Sequence, residues 1–582
     1  MALGLGNNLI RNGGAGNPDG LSLDLQFATD KTLTARKGPT PTFVRASGAT
    51  QVGAEGLIEY APENQLNFSQ SFAIFGGANN SWADLNFART TGFADPVGGF
   101  TAIRFTTTAT SATVISTNAV GSSELRTFSF WMRRVTGSGS IQYTVDGGAT
   151  YTTIASSTLP TTWTRFSFTS TADHRVGFRS TLTNQAIEIW GAQLERSTTA
   201  RAYIPTTTAA VYGARFDHDP VTLACKGLLI EESRTNSCLQ SQTFQTTWAA
   251  NPTQINATGI PAYLDVATAP DGTTTADKLI ATTLSGTHQF RQDITVVNGT
   301  TYTISNYFKA AEVNFASIAI FGTPSSSTDW ISLFNISTAS PATGAFNGFS
   351  STAIVNAGNG WFRCSTIFTA TASGSLSVRI GGASGVLVGN HSYSGDNSSA
   401  ILIWGAQLEA GAFPTSYIPT TTASLARSAD VCSITAGAFS GFWNNNEGTV
   451  LASGDPRGSA AAAILLMANS GSNANQIAID RATTTIKFGI ANSGSYTASI
   501  QQNSTNASFV KISGSYATND ARSALNGVLG TPDTSVIVPT NLIRLNIGSA
   551  GSASQEFANG CIFAIRYFRK PLSNAKLQTL TT

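Results

Sequence analysis

Nine tryptophans are spread along the chain. An aromatic ring that stacks on the apolar face of a sugar, with planar polar groups beside it for the hydroxyls, is the chemistry they could supply. Trp330 is the foremost candidate for an exposed platform. It lies in the turn-rich stretch Thr323-Pro-Ser-Ser-Ser-Thr-Asp-Trp330, and Asp329 beside it could accept hydrogen bonds from sugar hydroxyls. His391-Ser-Tyr393-Ser-Gly-Asp396 sits in another polar stretch, from which Tyr393 and Asp396 could line the same rim. Trp82 and Trp248 also sit in turn-rich sequence and join the candidates, with core packing as the competing reading. For Trp163, Trp190, Trp361, Trp404 and Trp443, each in a strand-like or domain-opening pattern, core packing is the expected role.

Carboxylates give a second set. Glu195 stands two residues from Gln193, and Glu409 two residues from Gln407. Oxygen ligands so placed at a strand end could hold a structural Ca²⁺; the alternative is a carboxylate that accepts from loop amides. Asp271 and Asp277 carry a similar claim. Asp217-His218-Asp219 resembles a metal cluster, but neighbours on a strand point to opposite faces, so a structural turn before Pro220 is preferred. No other cofactor is indicated. The chain has no G-x-S-x-G, Walker A, H-E-x-x-H or Cys/His zinc spacing. Its five cysteines are odd in number and form no C-x-x-C, which reads as buried thiols. A glycosidase needs two carboxylates whose sequence spacing is unconstrained, so that chemistry stays open.

An internal repeat must position these residues. Ile189-Trp-Gly-Ala-Gln-Leu-Glu195 recurs as Ile403-Trp-Gly-Ala-Gln-Leu-Glu409, and each is followed by Tyr-Ile-Pro-Thr-Thr-Thr, at Tyr203–Thr208 and Tyr417–Thr422. Further back, Asn64 with Ser69-Gln-Ser-Phe72 matches Asn236 with Ser241-Gln-Thr-Phe244, Trp82 matches Trp248, and Trp163-Thr-Arg165 matches Trp361-Phe-Arg363. Such self-similarity marks a duplicated module. The spacing between matched residues grows along the chain, so the second copy carries longer loops, and Trp330 falls in one of them. Alternating runs rich in Thr and other β-branched residues, punctuated by Gly, predict strands. Asp293–Val297 and Thr300–Phe308 flank Asn298-Gly299, the pattern of a tight hairpin.

The expected fold class is all-β. Two tandem jelly-roll β-sandwiches, at 56–208 and 234–425, are joined by a linker at 209–233. A further sandwich follows at 426–582, and a small N-terminal segment, 1–55, precedes them. Ser573 is the expected N-cap of a short terminal helix with Leu577 and Leu580 inward.

Charged residues are only 11 % of the chain, and Lys+Arg 34 against Asp+Glu 32 leaves a net charge of +2. With 41 % hydrophobic residues, global disorder is excluded. The basic footprints of nucleic-acid binding and of a membrane surface are absent. The opening MALGLGNNLIRNGG lacks the charged and apolar regions of a secretory leader, and the longest apolar run, Ala460–Ala468, is too short to span a bilayer.

The Trp-Gly-Ala-Gln-Leu-Glu…Tyr-Ile-Pro-Thr endings and Ala269-Pro-Asp-Gly-Thr-Thr-Thr-Ala-Asp-Lys-Leu279 resemble the carbohydrate-binding-like jelly-roll modules of tailed-bacteriophage structural proteins. Phe216-Asp-His-Asp-Pro-Val…Gly227-Leu-Leu-Ile-Glu-Glu-Ser-Arg-Thr-Asn236 is similar to a linker of such proteins. Residues 426–582 resemble a laminin-G/concanavalin-type sandwich, carried by Phe442-Trp-Asn444…Glu447-Gly-Thr449 and by Ile565-Arg-Tyr-Phe-Arg-Lys-Pro-Leu-Ser-Asn-Ala-Lys-Leu577. Copy one departs from the pattern, with Pro96-Val-Gly-Gly99 in place of Pro-Asp-Gly. The resemblance implies a non-enzymatic virion protein, a fibre or appendage assembled in the host cytoplasm. It implies docking to other virion proteins through the N-terminal segment, homo-oligomerisation as a trimer, and adhesion to host-surface glycan. A purely architectural decoration protein and a capsule or exopolysaccharide depolymerase are the alternatives.

Overall fold

The computed structural model describes residues 20–72, 82–117, 124–155, 159–172, 174–244, 247–250, 264–322, 330–341, 348–457, 463–482, 484–504, 509–550 and 556–582. The fold is all-β, built from antiparallel sheets packed as β-sandwiches. The chain divides into two compact units. One holds residues 44–224 and 233–429, the other 1–43, 225–232 and 430–582.

The first unit contains both copies of the repeat. In copy one, a five-stranded sheet runs Thr164–Ser170, Arg126–Thr136, Ala186–Glu195, Ala102–Thr107, Phe87–Phe93. Its partner sheet runs Thr152–Ala155, Ile141–Thr144, Gly177–Ser180, Ala112–Ser116, Trp82–Leu85. Copy two repeats the first sheet as Ser351–Asn356, Trp361–Thr369, Thr301–Ala310, Ala400–Ala410, Asp277–Ile280. Its second sheet has six strands: Ala249–Ala250, Gln289–Val296, Gly374–Ala383, Phe315–Phe321, Trp330–Asn335 and Ser340–Pro341. Alternation along each strand puts one face into the sandwich. Leu376, Val378 and Ile380 point into the core beside Ile318 and Ile320 of the neighbouring strand, while Ser377 and Arg379 face outward.

The repeated motif closes each sandwich with the same buried polar clasp. The Asn64 side chain donates to the Ala192 and Ile204 carbonyls at 3.0 and 2.8 Å, and Asn236 donates to Ala406 and Ile418 at the same distances. Each Asn also accepts from two backbone N–H groups, those of Leu66 and Leu194 in copy one and of Cys238 and Leu408 in copy two. The Tyr203 and Tyr417 hydroxyls meet Ser69 and Ser241 at 2.6 Å. These groups lie where backbone must leave the sheet, and satisfying it internally avoids the cost of buried unpaired amides. Gly191 and Gly405 sit at matching bulges with φ +66 and +68, where a Cβ would meet Trp131 and Tyr307 at 3.0 and 2.9 Å.

Two sequence expectations are corrected here. Asn298-Gly299 does not close a hairpin: Gln289–Val296 and Thr301–Ala310 lie in opposite sheets, so the turn is an arch across the sandwich. Only Gly299 of the pair has positive φ, whereas a tight hairpin of that type needs both. Nor do the described residues of 1–55, from 20 onward, form a separate piece. Leu21–Leu25 pairs antiparallel with Gly560–Phe568, and Cys225–Ile230 from the expected linker pairs with the same strand further along. The terminal sandwich is therefore assembled from three distant parts of the chain. Its sheets are completed by Gly448–Asp455, Val510–Ala517, Asp520–Leu525 and Val528–Leu529 on one side. On the other run Thr42–Val44, Val431–Thr435, Arg544–Ile547, Ala463–Asn469, Gln476–Arg481, Thr485–Asn492 and Ser495–Asn503. The helix Asn574–Thr581 is capped by Ser573, whose Oγ accepts from Lys576 N, with Leu577 buried and Leu580 packed beside it.

Candidate functional site

The tryptophan candidates are core residues. Trp330 opens a strand whose inward face carries it into the copy-two core, 5 % exposed, edge-on to Phe349 and Phe368 at 5.9 and 6.3 Å. Gly348 packs against its ring so closely that a Cβ there would lie 2.1 Å away. The expectation of an exposed platform at Trp330 is thus overturned, because Trp330 itself begins a strand, Trp330–Asn335, that pairs with Phe315–Phe321. Trp82 and Trp248 are buried too, and their indole N–H groups donate to the Asn67 and Leu239 carbonyls at 3.0 Å. Asp329 lies outside the described residues.

Tyr393 and Asp396 do not line a rim with Trp330. Tyr393 is half-buried against the His288 ring at 4.7 Å, and burial pushes its phenol up to about 12. Asp396 is exposed, but its carboxylate accepts from Ser399 Oγ and N and from Ser398 N, bonds that hold it well below the usual carboxylate range. It closes its own loop.

The carboxylates proposed for Ca²⁺ are filled by protein donors. Glu195 is fully buried and accepts from Gln193 Nε2, from Arg201 N and from Arg201 Nε at 2.7, 2.9 and 2.7 Å. Glu409 accepts from Gln407 Nε2, Thr415 N and Thr415 Oγ1 at the same three distances. Both carboxylates therefore close the loop that follows the strand, and the calcium expectation is corrected. Asp219 accepts from Val221 and Thr222 N, and Asp217 from Val52 N, so that run is structural. Among the described residues no group of three or more His, Cys, Asp or Glu comes together.

A different place combines space with unengaged polar groups. A groove of about 580 Å³ runs along Gln289–Val296 in copy two, lined by Ser237, Leu239, Thr247, Ala249, Ile294 and Ser424, among others. Arg291, Asp293 and Thr295 alternate outward on that strand and are exposed. Their backbones pair in the sheet, but neither the Arg291 nor the Asp293 side chain makes a hydrogen bond or ion pair with any described residue. Gln292 instead turns inward and is fixed by the Leu239 backbone, which donates to it at 2.7 Å and accepts from it at 3.0 Å, so the groove wall is anchored. Beyond it on the same sheet face, Arg379 pairs in register with Arg291 and stacks over Phe321 at 3.6 Å.

Copy one keeps the arginine and loses the pair. Arg179 stacks over Tyr151 at 3.8 Å and is engaged by Gln142, which accepts two bonds from it at 2.9 and 2.6 Å. Thr113 and Ile115 occupy the register positions of Arg291 and Asp293. Among the described residues, the outward Arg-x-Asp pair stands on the second module and not at the matching positions of the first. Sequence reading missed it because an Arg-x-Asp in a polar chain is unremarkable until register shows which face it shares.

The chain matches no protein-family model and no curated protein. Among solved structures it is similar to the Ruminococcus gnavus IT-sialidase CBM40 bound to alpha2,3 sialyllactose, at 14% identity and TM-score 0.22, covering 24% of this chain and 83% of that one. It is also similar to the tandem CBM22-1-CBM22-2 domains of Paenibacillus barcinonensis Xyn10C, at 11% identity and TM-score 0.18, covering 63% and 99%. Mouse laminin alpha1 domains LG4-5 match at 9% identity and TM-score 0.18, covering 50% and 90%. At these values the likeness carries nothing about ligand or activity.

Proposed function

We propose that this chain is a non-enzymatic adhesive component of a virion appendage, and that its second module binds host-surface polysaccharide in the groove along Gln289–Val296. The unengaged Arg291–Asp293 pair on that groove is the observation that supports the reading. A guanidinium donates and a carboxylate accepts, and a sugar ring offers oxygens that do both. Two residues along a strand place the groups about 7 Å apart, within reach of neighbouring hydroxyls on one or two rings. Hydroxyls of Ser237, Thr247, Thr295 and Ser424 extend the same chemistry along the wall. A site so open binds weakly, and several copies on one appendage turn weak contacts into useful avidity. Assembly as a homotrimer and attachment to other virion proteins near the N-terminus are part of the same proposal. Because Leu21–Leu25 is a strand of the terminal sandwich, such an attachment would act on the body that also contains the C-terminal helix.

The experiment incubates full-length protein with host cells and with their isolated surface polysaccharide, scoring retention and newly released reducing ends. Retention without new ends, reduced at least tenfold by Arg291→Ala or Asp293→Ala at unchanged thermal stability, is the expected result. New reducing ends would replace this reading with a depolymerase. Retention indifferent to both substitutions would remove the groove from it. No retention at all would favour the architectural role.

A further inference from the structure

The two modules present the same sheet face in different states. In copy two, register lays Trp361, Lys309, Leu402 and Lys278 in one row across the five-stranded sheet, and Arg363, Tyr307 and Trp404 in the next. The chain covers this face itself, with the hairpin formed by Thr50–Val52 and Ile58–Tyr60. Ile58 packs on the cluster containing Tyr307, Trp361 and Trp404, and its N–H donates to the Pro270 carbonyl at 2.9 Å. The tip meets the turn Pro270-Asp-Gly-Thr, where a Cβ on Gly272 would touch Leu57 at 3.0 Å. Trp361 and Trp404 are left with no exposed surface.

Copy one carries the same rows. Arg133 lies opposite Glu188, which lies opposite Arg104; Trp131 lies between Arg165 and Trp190. Trp163 ends the first row under the Arg133 guanidinium, 4.8 Å from its ring. Glu188 is buried between Arg104 and Arg133, with a 2.6 Å ion pair to each. No hairpin among the described residues covers this face, and Trp131 and Trp163 stay partly exposed. The turn equivalent to Pro270-Asp-Gly-Thr-Thr274 is Pro96-Val-Gly-Gly-Phe100. Here Val97 stands in place of Asp271 and Phe100 in place of Thr274, and each is 73% exposed. It joins the face directly, since Thr101 Oγ1 accepts from the Trp190 indole at 2.8 Å. The turn beside the uncovered face is thus more apolar than its covered counterpart, the reverse of what solvation favours, and exposed apolar patches of this kind mark interaction surfaces.

We propose that this face of the first module docks a β-hairpin of a partner protein, one with a Leu/Ile tip and acidic flanks, as residues 53–60 dock on the second module. Charge fits this occupant. Arg104 and Arg133 outnumber Glu188 on the face, and Gly53-Ala-Glu55-Gly-Leu-Ile-Glu59 carries two carboxylates. A second copy of this chain is disfavoured as the donor, because its own hairpin is already engaged on its second module.

The test titrates full-length protein with a labelled, head-to-tail cyclised peptide of the sequence Thr50–Tyr60, read by fluorescence anisotropy. The expected result is saturable binding that weakens at least tenfold in Val97→Asp/Phe100→Asp, is lost when the peptide carries Leu57→Asp/Ile58→Asp, and is unchanged by Arg291→Ala. Both chain substitutions fall in an exposed turn, and thermal melting confirms an intact fold. Absence of saturable binding, or binding indifferent to the turn substitutions, would overturn the proposal. Light scattering that shows the turn substitutions dissolving an oligomer would assign the face to self-association instead. Loss of polysaccharide retention in the turn variant, with the peptide bound normally, would assign it to glycan.

Discussion

Replacing Asn236 with Ala removes the centre of the second module's clasp. The side chain is fully buried and makes four hydrogen bonds, donating to Ala406 and Ile418 and accepting from Leu408 and Cys238, all between 2.8 and 3.1 Å. Alanine leaves two N–H groups and two carbonyls without partners. Each buried orphan costs about 1–3 kcal/mol. The vacated space admits water to some of them, so the expected loss is about 3–5 kcal/mol, in the upper range for a point substitution. For a module of this size that corresponds to a fall of roughly 6–20 °C in melting temperature. Hydrogen exchange locates the effect: the Leu408 and Cys238 amides should lose protection before amides of the terminal sandwich do. Asn64→Ala should repeat the pattern in copy one at Leu66 and Leu194. A loss below about 1 kcal/mol, or exchange that rises uniformly over the chain, would refute the reasoning that this motif is kept for backbone satisfaction.

Trp330→Ala should destabilise the second module by about 3–5 kcal/mol, the usual cost of emptying a buried aromatic site, while its folded fraction binds polysaccharide normally. A binding defect at full stability would contradict its place in the core. Chelation with EDTA should leave the melting temperature unchanged, because Glu195 and Glu409 are filled by Gln, Arg and Thr donors; a downward shift reversed by Ca²⁺ would reopen the metal reading. Asp277 is buried, and desolvation raises its carboxyl to about 6 against two backbone N–H bonds that lower it. The folded form then holds its proton more tightly than the unfolded one, so this group's contribution to stability falls as pH rises from about 4 to 6 and is flat above that window. Between pH 4 and 7 the stability of the wild type relative to Asp277→Asn should drop by on the order of 2–3 kcal/mol; a pH-independent difference would refute the assignment.

Much of the architecture was legible in the chain itself. The all-β class followed from composition and alternation, and the duplication from Trp-Gly-Ala-Gln-Leu-Glu and Tyr-Ile-Pro-Thr. The capped helix at Ser573 was visible because capping is local: one hydroxyl serves an amide three residues on. The same locality explains the error at Asn298-Gly299, where a good turn pair says nothing of which sheet the next strand joins.

The candidate site was not legible, for a reason that recurs throughout. Trp330 has polar neighbours in sequence, but its burial depends on Phe349, from the segment before Ser351–Asn356, and on Phe368, from the strand Trp361–Thr369. Glu195 and Glu409 kept their fixed place in the motif, yet only folding showed that Arg201 and Thr415 supply the charge and hydrogen bonds a cation would have given. Arg291 and Asp293 gained meaning from register and from the groove beside them. Sequence determined what recurs and what alternates, because those patterns are written in local spacing. Tertiary structure decided which recurring groups are consumed by the protein itself and which are left facing out, because that depends on how the chain folds back, whether the partner lies six residues on, as Arg201 does from Glu195, or 170, as Ala406 does from Asn236.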